Sequence, residues 1–210
     1  MDRLIFTAMS ALKQLDSMKQ TSANALANAS TIGFKQAVQF ATETSKVAGA
    51  GFDTRFVPMN RSNDELVIDQ GPLITTGRKM DIYLTGRTLM GVQAPNEQVA
   101  FTRRGDLLID QAGLIATAGG HVVLGEGGGP LTVPVGQEIA ITDDGTVTAT
   151  DPNLPDAPPT IVGNLLLRDS TGVRMVRRND SLYEPLAARG KGGDFQGGPN
   201  APRVQPGALE

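Results

Sequence analysis

Three places in this 210-residue chain carry residue types that chemistry can use. The first is Gly125-Glu126-Gly127-Gly128-Gly129-Pro130, a glycine run of the sort that cradles phosphate. A phosphate loop ends in Lys followed by Ser or Thr and opens a helix whose N-terminus faces the anion. This run continues instead into Leu131-Thr132-Val133-Pro134, a strand sequence, and reads as a hairpin loop. The second is Asp143-Asp144, neighbouring carboxylates of the kind that share acid–base work on a glycosidic bond. Catalytic carboxylates flank the sugar at roughly 5 to 9.5 Å, and sugar sites stack the ring on aromatics. Asp-Asp-Gly between two strands reads as a tight turn, and the acidic spacing of a calcium loop is missing. The third is His121, the chain's one histidine. A general base needs a nucleophile and an orienting acid, and the sequence has no Gly-x-Ser-x-Gly elbow, so a turn or surface position is expected.

Composition narrows the chemistry further. With no Cys and a single His, thiol catalysis, disulfides, iron–sulfur ligation and thiolate or multi-histidine zinc sites are excluded. No catalytic residue, metal or cofactor is expected. Nineteen Lys and Arg against 22 Asp and Glu give a net charge of -3, so there is no global basic field and nucleic acid is not an expected partner. The pairs Arg103-Arg104 and Arg177-Arg178 read as solvated strand residues or contacts to neighbouring subunits. No stretch approaches the ~20 apolar residues of a membrane span, and the first residues lack the pattern of a cleaved secretory leader. Direct membrane insertion is not expected. Gly (25) and Pro (13) together make up about 18% of the chain against a usual ~12%, so turns and linkers are plentiful.

The elements that would position these residues change along the chain. Residues 2–30 contain neither Gly nor Pro, and small or apolar residues recur at alternating steps of four and three. Leu4, Ala8, Ala11, Leu15, Met18 and Ser22 form one seam, continued by Ala25 and Ala29 and flanked by Ile5, Leu12 and Leu26. The spacing predicts a helix on the order of 40 Å long. Its Ala- and Ser-rich seam allows close approach of another helix but buries little area, so the helix needs a partner. The periodicity stops in residues 34–79, which read as an extended arm with short strands near 55–57 and 65–68, a flexible stretch at 48–51 and turns at 60–64 and 70–72. From residue 80 to 188, short β runs are separated by Gly-bearing turns, the pattern of antiparallel hairpins. Residues 189–210 form a Gly/Pro-rich return segment with too few apolar residues to fold alone. The expected fold is therefore mainly β, a hairpin-rich antiparallel domain joined by an extended arm to an N-terminal axial helix of residues 1–33.

The most informative stretch is Ala23-Asn24-Ala25-Leu26-Ala27-Asn28-Ala29-Ser30-Thr31-Ile32-Gly33-Phe34-Lys35. Asn28, Ser30 and Thr31 suit a helix end, Gly33 suits a left-handed turn, and Phe34 can tuck back against it. Asn24 and Asn28 lie one helical turn apart beside a small apolar seam, which points to register-fixing contacts with partner helices. These residues resemble the N-terminal signature of the bacterial flagellar rod and hook axial proteins, Ala-Asn-Asn-x-Ala-Asn-x-x-Thr-x-Gly-Phe-Lys. Asn24, Leu26, Ala27, Asn28, Thr31, Gly33, Phe34 and Lys35 match, while Ala25 stands where the second Asn is usual. Further along, Thr76-Gly77 with Asp81 resembles the family's Thr-Gly-x-x-x-Asp step. Phe101-Thr102-Arg103-Arg104-Gly105-Asp106 is similar to its Tyr-Thr-Arg-x-Gly-Asn/Asp segment, and Asp144-Gly145-Thr146-Val147 to its Asp-Gly-Thr-Val turn. The opening residues 1–9 and the Gly-Pro-Leu-Thr-Val-Pro stretch look most like a proximal rod member. The usual Gly-Phe-Phe step is replaced by Gly86-Arg87-Thr88-Leu89-Met90, so apolar packing there must differ.

The resemblance implies a structural subunit of the basal-body rod, in its proximal part, self-packing through the N-terminal helix in a helical tubular assembly. It implies partners among other rod proteins and copies of the chain itself, and export through the flagellar type III apparatus to a periplasmic rod without a cleaved signal peptide. The family's chains continue past Gly-x-Leu-Glu, matched by Gly207-Ala208-Leu209-Glu210, into a C-terminal helix that this sequence does not include. Two other readings stay open: another axial protein, of the distal rod or hook, and a β-rich carbohydrate-active domain using Asp143 and Asp144.

Overall fold

The computed structural model describes residues 2–38, 43–46, 56–59, 65–134, 136–154 and 157–210. The expected stretches 48–51 and 60–64 lie outside the described residues, as does the side chain of Leu4. The chain divides into two units. One comprises residues 1–30 and 36–67, the other residues 31–35 and 68–210.

In the first unit, helix α1 spans Asp2–Ala27. The sequence pattern extends it to residue 30, but residues 28–30 are turns. The reason lies in the side chains there. The Asn28 amide donates to the backbone carbonyl of Asn24 at 2.9 Å and to its Oδ1 at 2.8 Å, and Asn and Ser at such positions compete with the helical ladder. Strands β1 (Ala37–Val38), β2 (Glu43–Lys46), β3 (Phe56–Met59) and β4 (Glu65–Leu66) complete the unit. β2 pairs with β3 and β1 with β4, both antiparallel.

The second unit carries β5 (Ile74–Thr75), β6 (Ile82–Leu84), β7 (Thr88–Gln93), β8 (Val99–Thr102), β9 (Leu107–Ile109), β10 (Ile115–Thr117), β11 (Glu138–Ile141), β12 (Thr146–Thr150), β13 (Thr160–Asn164), β14 (Leu167–Asp169), β15 (Met175–Arg177), β16 (Tyr183–Pro185), β17 (Val204–Pro206) and β18 (Ala208–Leu209). Five of these form one antiparallel sheet in the order β15-β16-β8-β7-β14, and β11-β12-β13 form a second. Strands β11 and β12 show the alternation of a half-buried sheet, with Ile139, Ile141, Val147 and Ala149 inward and their neighbours outward. β7 is buried on both faces, as a strand inside a covered sheet must be. Its Gly91 has no room for a side chain, because a Cβ there would stand 2.4 Å from Leu166 Cδ2. The core joins residues from several strands, among them Leu84, Met90, Ala100, Leu107, Ile115 and Val147. Leu89 and Met90, in the stretch that replaces the family's Gly-Phe-Phe step, are fully buried.

The return segment does not fold alone. It folds by borrowing edges: β17 pairs with β6 in the register Val204↔Leu84, Gln205↔Tyr83, Pro206↔Ile82, and β18 pairs with β5 through Ala208↔Thr75 and Leu209↔Ile74. The carbonyl of Gly207 accepts from the amides of Thr76 (2.9 Å) and Gly77 (3.0 Å), and its own N–H donates to Asp81 at 2.7 Å. Thr76-Gly77 and Asp81 thus meet the Gly of Gly-x-Leu-Glu through backbone bonds. Upstream, Phe195 packs edge-on against Phe101 with ring centroids 4.8 Å apart, and Asp194 takes a two-point bond from Arg168.

Candidate functional site

The turn that leaves α1 enters the β unit at residues 31–35. The Phe34 amide donates to Thr31 O at 3.1 Å, and Gly33 sits at φ +69°. Only glycine suits this position. A Cβ on Gly33 would lie 2.5 Å from the carbonyl carbon of Arg103, quite apart from the left-handed backbone that an L side chain resists. Gly33 also joins two elements by its backbone: its carbonyl accepts from the Tyr183 hydroxyl at 2.8 Å, and its N–H donates to the carbonyl of Glu210 at 3.4 Å. The Arg177 guanidinium stands over the Phe34 ring, 4.6 Å from its centroid, a cation–π contact that orients the ring.

Lys35, the last residue of the turn, is buried and bonds Glu210 Oε1 at 2.6 Å and the Asp69 carbonyl. The other oxygen of Glu210 takes Arg103 Nε at 2.6 Å, and the Gly71 amide also donates to Oε1. Arg103 is 1% exposed and spends its remaining donors on the carbonyls of Leu84, Gly86 and Thr88. This overturns the expectation of a solvated arginine pair. Arg103 lies just past β8, whose last three residues are all buried, and no alternation in the sequence marks it as buried. Arg104 forms a two-point pair with Asp106 at 2.7 and 2.8 Å.

The electrostatics are a contest between burial and pairing. Burial alone would raise the Glu210 carboxyl, but the bond and charge of Arg103, with Lys35 and the Gly71 amide, outweigh it and hold the group below its ordinary 4.5. Burial pushes the Lys35 ammonium below its ordinary 10.5 and the charge of Arg103 adds to that, against the bond to Glu210. Burial likewise drives the Tyr183 hydroxyl up to about 12. Every charged group here is spent on another or on a carbonyl. Such an arrangement holds segments together.

The other sequence candidates lie elsewhere. Residues 125–129 close a hairpin through Gly125 N–H to Gly129 O at 2.8 Å. Asp143 and Asp144 occupy an exposed turn, Asp144 bonded to Thr142 and Thr146 and Asp143 paired with Arg203 at 3.0 Å. His121 sits in the turn after β10, its backbone bonded to Thr117. Asn24 and Asn28 bond each other on the end of α1. Of the N-terminal motif, Gly33, Phe34 and Lys35 gather in the β unit, while Asn24, Leu26, Ala27 and Asn28 stay with the helix end. Along the seam, Ala8, Ala11, Leu15, Met18 and Ser22 are all exposed.

Residues 83–149 match the family described as the flagellar hook protein FlgE/F/G D1 domain. Over its whole length the chain is 35% identical to the flagellar basal-body rod protein FlgF of Salmonella typhimurium and spans 82% of that relative. The FlgF of Escherichia coli gives the same identity and coverage. The chain belongs to the flagellar basal-body rod proteins. The flagellar basal-body rod protein FlgG of Bacillus subtilis is 26% identical over 71% of the chain and 61% of its own length. In this rod protein the D1 match takes in Arg103 but neither Lys35 nor Glu210. Those two residues fall within the full-length similarity to FlgF, which joins the ends of the clasp to its centre.

Proposed function

We propose that the chain is a structural subunit of the bacterial flagellar basal-body rod that works by packing, without catalysis, through its N-terminal helix. The observation that carries this reading is the surface of α1. Leu12 is 65% exposed and Leu26 79%, and Ile5, Met9, Leu15 and Met18 are exposed with them. A 26-residue helix with six large apolar side chains in water is built to be covered. Neighbouring rod subunits and copies of the chain itself supply that cover in a helical tubular assembly. In this reading residues 1–33 are the axial element, 34–79 the arm, 80–188 the outer β domain and 189–210 the return segment. The resemblance of the first nine residues and of residues 129–134 supports a proximal position in the rod. It also supports export by the flagellar apparatus without a cleaved leader, to the periplasmic part of the basal body. Among the described residues no helix is long and apolar enough to cross a membrane.

Substituting Leu12→Asp and Leu15→Asp tests the proposal. Both side chains are exposed, so the urea midpoint of the isolated chain should move by no more than about 0.5 kcal/mol equivalent. The double variant should be absent from purified basal bodies, and cells carrying it should be non-motile. Incorporation at the wild-type level would sink the reading. Position along the rod is decided separately, by gold labelling of purified basal bodies, with labelling at the hook excluding the proximal assignment.

A further inference from the structure

Among the described residues Glu210 is the one carboxylate on which both Lys35 and Arg103 end, one on each oxygen. The other bonds described for them go to carbonyls, which accept hydrogen bonds but bring no net charge. Remove the charge of Glu210, and two buried cations lose the carboxylate they share, leaving Lys35 the more distant charge of Asp69 against that of Arg103. The loss does not fall equally on the two. Arg103 remains tied to three carbonyls of residues 84–88, whereas among the described residues Lys35 keeps the single carbonyl of Asp69, and the Gly33 N–H rests on the same Glu210 through its backbone. The 31–35 turn is therefore the part that gives way. Glu210 in turn reaches this point only because β17 and β18, directly before it, have paired with β6 and β5.

We propose that Glu210 is the bolt of a latch, which fixes the turn leading out of α1 to the β unit only after the return segment has paired, and which releases that turn without unfolding the β unit. The latch makes the fixing of residues 31–35 conditional on residues 204–210. Nothing in it depends on the rod reading, and it stands or falls by itself.

Native-state hydrogen exchange on the full chain tests it, with the amides of Gly33 and Phe34 reporting the turn and those of β7 and β8 reporting the unit. In Glu210→Gln, exchange at Gly33 and Phe34 should rise at least tenfold while β7 and β8 change less than threefold. Adding Lys35→Met removes one of the two facing charges and should recover part of the protection at Gly33. Unchanged protection of the turn in Glu210→Gln overturns the latch. A fall of equal size in β7 and β8 does so too, by making the network an ordinary part of the core, and so does a double variant no better protected than the single. Should Glu210→Gln not fold, the wild-type chain decides the matter in low urea. Gly33 and Phe34 exchanging through an opening shared with each other but not with β7 and β8 supports the latch, and exchange only through global unfolding refutes it.

Discussion

At the scale of single residues, glycines and one tyrosine make the clasp measurable. Gly33 is constrained twice, by φ +69° and by the Arg103 backbone 2.5 Å from where a Cβ would stand, whereas Gly77 has φ +72° and open space around it. Gly33→Ala should thus cost about 2 to 4 kcal/mol and Gly77→Ala only about 1, read from urea midpoints; equal costs would mean the close approach is absent. Tyr183 gives a pH signature. Its hydroxyl ionises near about 12 in the fold against an ordinary 10.0, so the stability it contributes is whole below 10 and is lost as pH rises toward 12, about 3 kcal/mol in all. Lys35 runs the other way over the alkaline range, its lowered value making the fold gain as pH climbs toward 10.5. Comparing wild type with Tyr183→Phe isolates the tyrosine: the alkaline loss of stability should be shallower in the variant, and coincident curves would contradict a buried, bonded hydroxyl. At the acid end, the lowered Glu210 value places its contribution above pH 4.5, with loss as pH falls through its value in the fold. Gly33 and Phe34 were legible as a turn that ends the helix and Lys35 through the family resemblance, yet their partners were not. Arg103 was hidden by its neighbour Arg104, because two adjacent arginines suggest solvent, and the partners that take Arg103 in, the carbonyls of residues 84–88 and the Glu210 carboxylate, are distant in the sequence.

At the scale of elements, hairpins were the readable part. Gly-bearing turns and alternating runs mark β9 to β12 because each strand meets a sequence neighbour, and local turn chemistry suffices to set such pairs. The strands of the return segment were not readable for the complementary reason. β17 contains Pro206 and β18 is two residues long, and both exist only because β6 and β5, more than a hundred residues earlier, offer edges. Long-range pairing of this kind leaves little local trace. The helix α1 was legible from its period, and its end was missed by three residues because Asn28 turns back on Asn24. With its apolar stripe exposed, a helix of this length buries little on that face, so its amides should exchange faster in dilute monomer than those of β7 and β8. Protection of α1 comparable to that of β7 and β8 would show that the helix needs no partner.

For the molecule as a whole, the chemistry that the sequence first suggested dissolves into structure: the glycine run is a hairpin, the aspartate pair an exposed turn, and the buried charges hold one another. The bond between the Gly33 amide and the Glu210 carbonyl carries a separate implication. It ties the two ends of a long excursion, so residues 34–209 form a ring with a fixed mouth. The entropy of closing such a ring grows only with the logarithm of its length, each doubling costing roughly 0.6 kcal/mol. A chain of this design can therefore gain or lose whole hairpins far from the mouth without shifting the point at which residues 33 and 210 meet. Size and surface on one side, and attachment on the other, become independent variables on which selection can act separately.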